Sequence, residues 1–139
     1  MIEIEFLEKL DDEIIEMLDN EFNKYAEMNG VKCDYKSFNF VAKENGKVVG
    51  IINGHSYYDE IHISDFIILE EYRKQHIGTM LIKKVEDFYK DEDFDNFNLT
   101  TFEFQAPKFY EKMGYKLEYV RINSKNSKLN KYFYSKSKR

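Results

Sequence analysis

Cysteine, proline and histidine are scarce in this chain: one, one and three among 139 residues. Each scarcity closes off a class of chemistry. Cys33 alone cannot form an internal disulfide. His55, His62 and His76 are scattered without zinc-site spacing, so no metal is expected. No apolar run approaches the ~18 residues that a membrane span needs, which argues against a membrane partner. The opening MIEIEFLEKLDDE is acidic and alternating, unlike a secretory signal. A cytoplasmic protein is the expectation. Two common phosphate loops are missing as well: there is no GxxxxGK followed by Ser or Thr, and no GxGxxG after a strand. GHSYY at 54–58 lacks the second glycine of a serine elbow, so Ser or Cys nucleophilic catalysis has no support.

Acidic residues are absent from one place, the stretch from Arg121 to Arg139, although the chain has 26 of them. That stretch is basic but contains LNKYFYSK, which reads as a strand, so a solvated sheet edge explains its charge better than nucleic-acid binding. The acidic body disfavours nucleic acid and suits a cationic or amine ligand.

What the chain has is a core: 42% hydrophobic and 17% aromatic residues, enough for one domain over 1–139. MIEIEFLE alternates like a strand. Ile14, Ile15, Leu18, Phe22, Tyr25 and Met28 recur at helical spacing up to Gly30. SFNFVAKE and KVVGIINGHSYY flank the hairpin turn ENGK, and EIHISDFIIL is a third, central strand. Ile77, Leu81, Val85 and Phe88 mark one helix face. NFNLTTFEF, PKFYEKMG, YKLEYVRI and NKYFYSK follow as strand, short helix, strand and strand. This order gives an α/β domain with a mixed, mostly antiparallel central sheet flanked by helices.

Between the third strand and its helix lies RKQHIGT. A helix start leaves backbone N–H groups without partners and carries partial positive charge. Gly78 allows a diphosphate to come close, Thr79 adds a hydroxyl, and Arg73 and Lys74 add charge. Arg73 is one of three Arg beside eighteen Lys, and guanidinium suits phosphate geometry. Later, in TTFEFQAPKFYEKMGY, Pro107 opens a helix and Gly114 closes it. Phe109 and Met113 should face the core, with Tyr110 on the flank.

YRKQHIGTMLI and QAPKFYEKMGY together resemble the GNAT family of acyl-CoA-dependent N-acetyltransferases. The family's loop motif is matched by Arg73 and Gly78. Its later motif is matched by Ala106, Phe109, Tyr110, Lys112, Gly114 and Tyr115. His76 stands where the loop motif has its first glycine, and Glu103 where the second motif often begins with Asn. Where that position needs a left-handed backbone or close approach to the diphosphate, a histidine costs affinity; its ring can equally add a hydrogen bond to phosphate.

The resemblance implies an enzyme that moves an acetyl group from acetyl-CoA, its cosubstrate, to a primary amine of a small molecule, with a peptide amine or a non-catalytic CoA-binding module as alternatives. The backbone of Phe66, Ile67, Ile68 and Leu69 would pair with the pantetheine arm. The diphosphate would meet the N–H groups of Arg73, Lys74, Gln75, His76, Ile77, Gly78 and Thr79. Tyr110 is implied as general acid. His62 is the candidate base, on the face of Ser64 and Phe66 if the strand is regular, with a carboxylate (Glu60 and Asp59 at the rim, Glu103 on a bordering strand) or a water relay as the alternatives. Tyr25, Tyr57 and Glu103 are candidates for the acceptor wall. Members often dimerise, and YFYSK would offer the pairing edge for a homodimer.

Overall fold

A computed structural model describes residues 1–138, which divide into two compact units, Met1–Asp34 and the remainder from Tyr35. The first holds one helix, α1 (Asp12–Met28). Asp11 sets its start: the carboxylate accepts a hydrogen bond from the Ile14 amide at 2.9 Å, serving a donor that the helix itself leaves open. Gly30, left-handed at φ 74°, follows its last turn. The expected strand over MIEIEFLE does not form, and Ile2, Ile4 and Phe6 stay exposed. Alternation says which side of a strand would be buried. It does not supply the second strand that a hydrogen-bond ladder requires.

The second unit is a six-stranded sheet in the order β1-β2-β3-β4-β6-β5. β1 (Lys36–Glu44) and β2 (Lys47–Tyr57) form a hairpin closed by Asn45 and Gly46. Both are left-handed, at φ 50° and 80°, as a type I′ turn demands. β3 (Glu60–Ile68) adds antiparallel to β2. α2 (Ile77–Phe88) then crosses the sheet, so that β4 (Asn96–Phe102) lies parallel to β3. α3 (Pro107–Lys112), β5 (Lys116–Arg121) and β6 (Lys131–Ser137) complete the unit. No helix among the described residues is long and apolar enough to cross a membrane.

β6 inserts between β4 and β5, antiparallel to both. YFYSK is therefore not a free edge, because both sides of its backbone are taken. The expectations of a solvated edge and of a pairing edge for a second copy are both corrected by this insertion. Its lysines are tied in too. Lys136 meets Glu86 at 3.1 Å, and Lys131 lies 5.5 Å from the centre of the Phe133 ring.

The core lies between α2 and one face of the sheet. Ile52, Ile61, Ile63, Phe97, Leu99 and Tyr134 reach it from the strands, and Leu81, Ile82 and Val85 from the helix. Ile82 and Val85 are 0% exposed, and burying each stabilises the fold by ~1.5–3 kcal/mol. Phe88, expected on this stripe, is 58% exposed, and Tyr89 is buried instead. At 3.6 residues per turn, the position four after Val85 lies as near the stripe as the one three after it.

One irregularity decides where side chains point. Pairing of β2 with β3 steps from Asn53↔Asp65 to Gly54↔Ile63, leaving Ser64 as a bulged extra residue. The alternation resets there: Ile61 and Ile63 face the core before it, Phe66 and Ile68 after it. His62 thus faces away from the core while Phe66 faces it. This corrects the expectation that His62 and Phe66 share a face, which held only for an unbroken strand.

Gly54 lies opposite the bulge, where a Cβ would run into the His62 carbonyl and come within 2.9 Å of the Phe38 ring. Gly54→Ala should destabilise the fold by about 1–3 kcal/mol, read as a lower urea midpoint. An unchanged midpoint would show that close backbone approach does not pin the bulge.

Candidate active site

β3 and β4 pair at only three positions: Glu60↔Asn96, Ile61↔Phe97 and His62↔Asn98. Beyond them β3 continues beside β2 and β4 beside β6, so the two parallel strands part. From Ile63 onward the β4-facing edge of β3 has no ladder partner among the described residues. Phe66, Ile67 and Ile68 lie on this edge, and Leu69 follows it with its own N–H donated to the Val49 carbonyl at 2.9 Å. A cleft with unpaired strand backbone can accept an extended chain with amide groups of its own.

α2 starts at the same end of β3. The chain passes a short 3-10 turn, Glu70–Tyr72, then Arg73, whose Nε donates to the Ile68 carbonyl at 3.0 Å. Lys74 and His76 are both left-handed, each at φ 66°. His76 is the helix N-cap, with no capping hydrogen bond from its side chain. Left-handed backbone costs a non-glycine residue roughly 1–2 kcal/mol. This is the conformation that the glycine of the loop motif would adopt without strain, and the loop holds it with histidine in place. The N–H groups of the first turn, including Gly78 and Thr79, have no intrahelical carbonyl to meet, and the helix dipole adds positive potential there.

Gly78 faces Phe66 and Phe109. A Cβ there would lie 3.5 Å from Phe66 and 3.6 Å from Phe109, ordinary van der Waals distances. Internal packing therefore has room for alanine at this position.

α3 presents Tyr110 in the same layer. Ala106 precedes the helix at φ 145°, a strained value for alanine, and Pro107 supplies a first turn that needs no N–H. The Tyr110 ring contacts Phe109, Tyr134, Tyr115 and Phe66, at centroid distances of 5.3, 5.9, 6.1 and 6.3 Å. Burial pushes its phenol up to about 12. At neutral pH it keeps its proton and acts as a donor.

On the opposite face, His62 stands at the last paired position before the strands part. Its Nδ1 lies 2.7 Å from Asn98 Oδ1. Asn98 Nδ2 donates to Glu60 at 2.8 Å and to Asn96 at 2.9 Å. His55, opposite His62 on β2, has its ring centre 5.3 Å away. Burial, and secondarily the charge of His62, lower the His55 pKa below the usual imidazole value. Tyr35 stacks on His55 at 4.9 Å, and Tyr57 meets it edge-on at 4.7 Å. Beside this cluster a cavity of about 260 Å³ is bounded by Glu60, Asn98, Thr100, Glu118 and Phe133 among others.

The residues singled out in the sequence thus fall in several places. Phe66, Gly78 and Tyr110 come together in one layer. His62 and Tyr57 lie on the other face. Glu103, just past β4, accepts a hydrogen bond from the Tyr132 hydroxyl at 2.8 Å and does not line the cavity. Tyr25 is an exposed residue of α1, in the first unit. Sequence reasoning missed Asn98 and Glu118. The alternation Asn96-Phe97-Asn98-Leu99-Thr100 carried a signal for Asn98, since buried Phe97 and Leu99 put the polar residues on one shared face.

The model of the acetyltransferase (GNAT) family matches residues 4–115. Over 88 residues the chain is 33% identical to a probable N-acetyltransferase, camello, of Xenopus tropicalis, a match covering 60% of this chain and 40% of that protein. The chain spans 40% and 54% of the lengths of the curated relatives it matches. An acetyltransferase from Bacillus cereus superposes with a TM-score of 0.76 at 26% identity, over 96% of this chain and 97% of that one. An aminoglycoside 6'-N-acetyltransferase complexed with coenzyme A shares the fold, with a TM-score of 0.63 and 18% identity over 93% of this chain and 82% of that one.

Two measurements test the local physics. His76→Gly should stay within about 1 kcal/mol of the parent in chemical unfolding, strain relief offsetting glycine's extra chain entropy. His76→Val, β-branched at a left-handed position, should lose more than about 1 kcal/mol; equal stability for the two variants would remove the strain argument. Tyr110 in turn couples stability to alkaline pH. Its folded-state pKa is raised, so its contribution is complete below the unfolded value of 10.0 and is lost as pH climbs through about 12. Tyr110→Phe should therefore lose less stability than the parent between those limits.

Proposed function

The chain belongs to the acetyltransferase (GNAT) family, and on that footing we propose that it moves an acetyl group from acetyl-CoA directly to a primary amine of a small molecule, within a ternary complex. Residues 1–139 are read as one domain of that kind. The observation that carries the proposal is the parting of β3 from β4 beside the open N-terminus of α2. An extended pantetheine arm suits the unpaired backbone around Phe66 to Leu69. A diphosphate suits the N–H groups from Arg73 to Thr79. The coenzyme A complex of the related fold agrees with this choice of cosubstrate.

The amine nitrogen attacks the thioester carbonyl, and the tetrahedral adduct collapses with the CoA thiolate leaving. Tyr110, protonated at working pH, is assigned the delivery of a proton to that thiolate. His62 is assigned the removal of the proton from the amine. The acceptor is assigned to the His62 face, where Tyr57, Glu60 and Glu118 offer an aromatic and anionic wall. Glu103, held by Tyr132, is a weaker candidate for this wall.

The test is a calorimetric titration with acetyl-CoA, followed by turnover against a panel of primary amines. Gly78→Ala should fold normally, since its methyl group meets Phe66 and Phe109 only at ordinary contact distances, yet should bind acetyl-CoA at least ~10-fold more weakly, about 1.4 kcal/mol, if the diphosphate needs the bare glycine backbone at this turn. Tyr110→Phe should keep the affinity and lose roughly 10²–10⁴ in kcat. Absence of acetyl-CoA binding by the parent would end the proposal. Binding without turnover on any amine would favour a CoA-binding module without catalysis.

A further inference from the structure

We propose that Asn98 is a positioning residue that holds His62 in its Nδ1–H tautomer, so that the lone pair of the neutral ring lies on Nε2, available as the base. The catalytic part of this statement rests on the reading of His62 given above; the tautomer itself does not.

Donor and acceptor identities decide the matter. Asn98 Nδ2 lies 2.8 Å from Glu60 Oε1 and 2.9 Å from Asn96 Oδ1. An ionised carboxylate only accepts, so the end of the amide that meets it is the NH2 group. Both hydrogens of that group are then in use. The other end, Oδ1, faces His62 Nδ1 at 2.7 Å, and an amide oxygen only accepts. His62 Nδ1 must supply the proton. Reversing the amide would set Oδ1 against the Glu60 carboxylate and the Asn96 carbonyl oxygen, exchanging two hydrogen bonds for two repulsions.

The strand register makes this arrangement durable. Glu60↔Asn96 and His62↔Asn98 are two of the three positions at which β3 and β4 pair. Asn98 is the last residue of β4 held at a fixed distance from β3 before the strands part. A histidine side chain free in water favours the opposite tautomer, with the proton on Nε2 and the lone pair on Nδ1. Left to itself, the ring would turn its lone pair toward the sheet. The other titratable groups facing His62 are His55 from β2, with its ring centre 5.3 Å away, and Glu60 from its own strand; β4 contributes the neutral Asn96 and Asn98. A second imidazole disfavours added positive charge on this face and Glu60 favours it, so neither replaces the directional effect of Asn98.

Long-range proton–nitrogen spectra of the full chain with isotopically labelled histidine read the tautomer directly. The His62 signals are assigned by their loss in His62→Gln, and spectra are taken above the pH at which the ring titrates. The parent should show the Nδ1–H form. Asn98→Leu should move the ring toward Nε2–H and lower kcat at least ~10-fold without weakening acetyl-CoA binding, as loss of a tautomer-fixing partner does elsewhere. Asn98→Asp restores an acceptor, so it should keep the Nδ1–H form. Its negative charge should also shift the acid limb of the pH–rate profile to higher pH. An Nε2–H ring in the parent, or an unchanged tautomer in Asn98→Leu, overturns the proposal, whatever the acetyl-transfer assays show. The expected tautomers in a protein that acetylates no amine would uphold the role of Asn98 and remove the role of His62 as base.

Discussion

Two parallel strands that pair for only three residues are the constraint around which this molecule is arranged. Each strand is anchored on its far side, β3 by β2 and β4 by β6, so the gap between them costs no unravelling of the sheet. Unpaired strand backbone is unfavourable when it is buried away from other partners. A protein that keeps such an edge open has a use for it, and here the edge runs toward a helix start with donors of its own to satisfy.

The bulge at Ser64 gives the gap two chemically different sides. One extra residue in β3 turns Phe66 toward the helices and leaves His62 on the other face. On the helix side the surroundings are aromatic and dry, which keeps the Tyr110 phenol protonated. On the other side are two imidazoles, two asparagines and two carboxylates. The two groups proposed to move protons, Tyr110 and His62, thus stand on opposite faces of the sheet. Had β3 been regular with Ile61 and Ile63 in the core, Phe66 would have shared the outward face with His62, and the helix side would have lost its aromatic floor.

Much of the fold was legible in the sequence because its signals were local. Asn45-Gly46 specified a turn, Pro107 and Gly114 bracketed α3, and the spacing of Leu81 and Val85 gave the buried face of α2. The departures share a physical cause, dependence on residues far away in the chain. The MIEIEFLE alternation resembled a strand, but strand formation needs a partner that no local pattern announces. The insertion of β6 between β4 and β5 depends on pairing across about thirty to forty residues, from Phe102 with Lys131 to Asn96 with Ser137. Ser64 carries no mark of a bulge, because the bulge follows from how Gly54 lets two backbones approach. In the candidate site, the Gly78 and Tyr110 positions followed from motif spacing. The orientation of Asn98 did not, since it is set by Glu60, 38 residues away.

The placement of β6 also bears on the order in which the molecule can assemble during synthesis. β4 has three residues of pairing with β3, and seven with β6. Until the chain from Lys131 onward is available, one wall of the cleft hangs from a short parallel ladder, the weaker of the two kinds. A nascent chain complete through α2 already holds the hairpin, β3 and the helix start. It cannot yet hold β4 firmly, nor keep Asn98 at its distance from His62. The half around the start of α2 is thus formed from early sequence, while the half around His62 and Asn98 waits for the last strand to arrive.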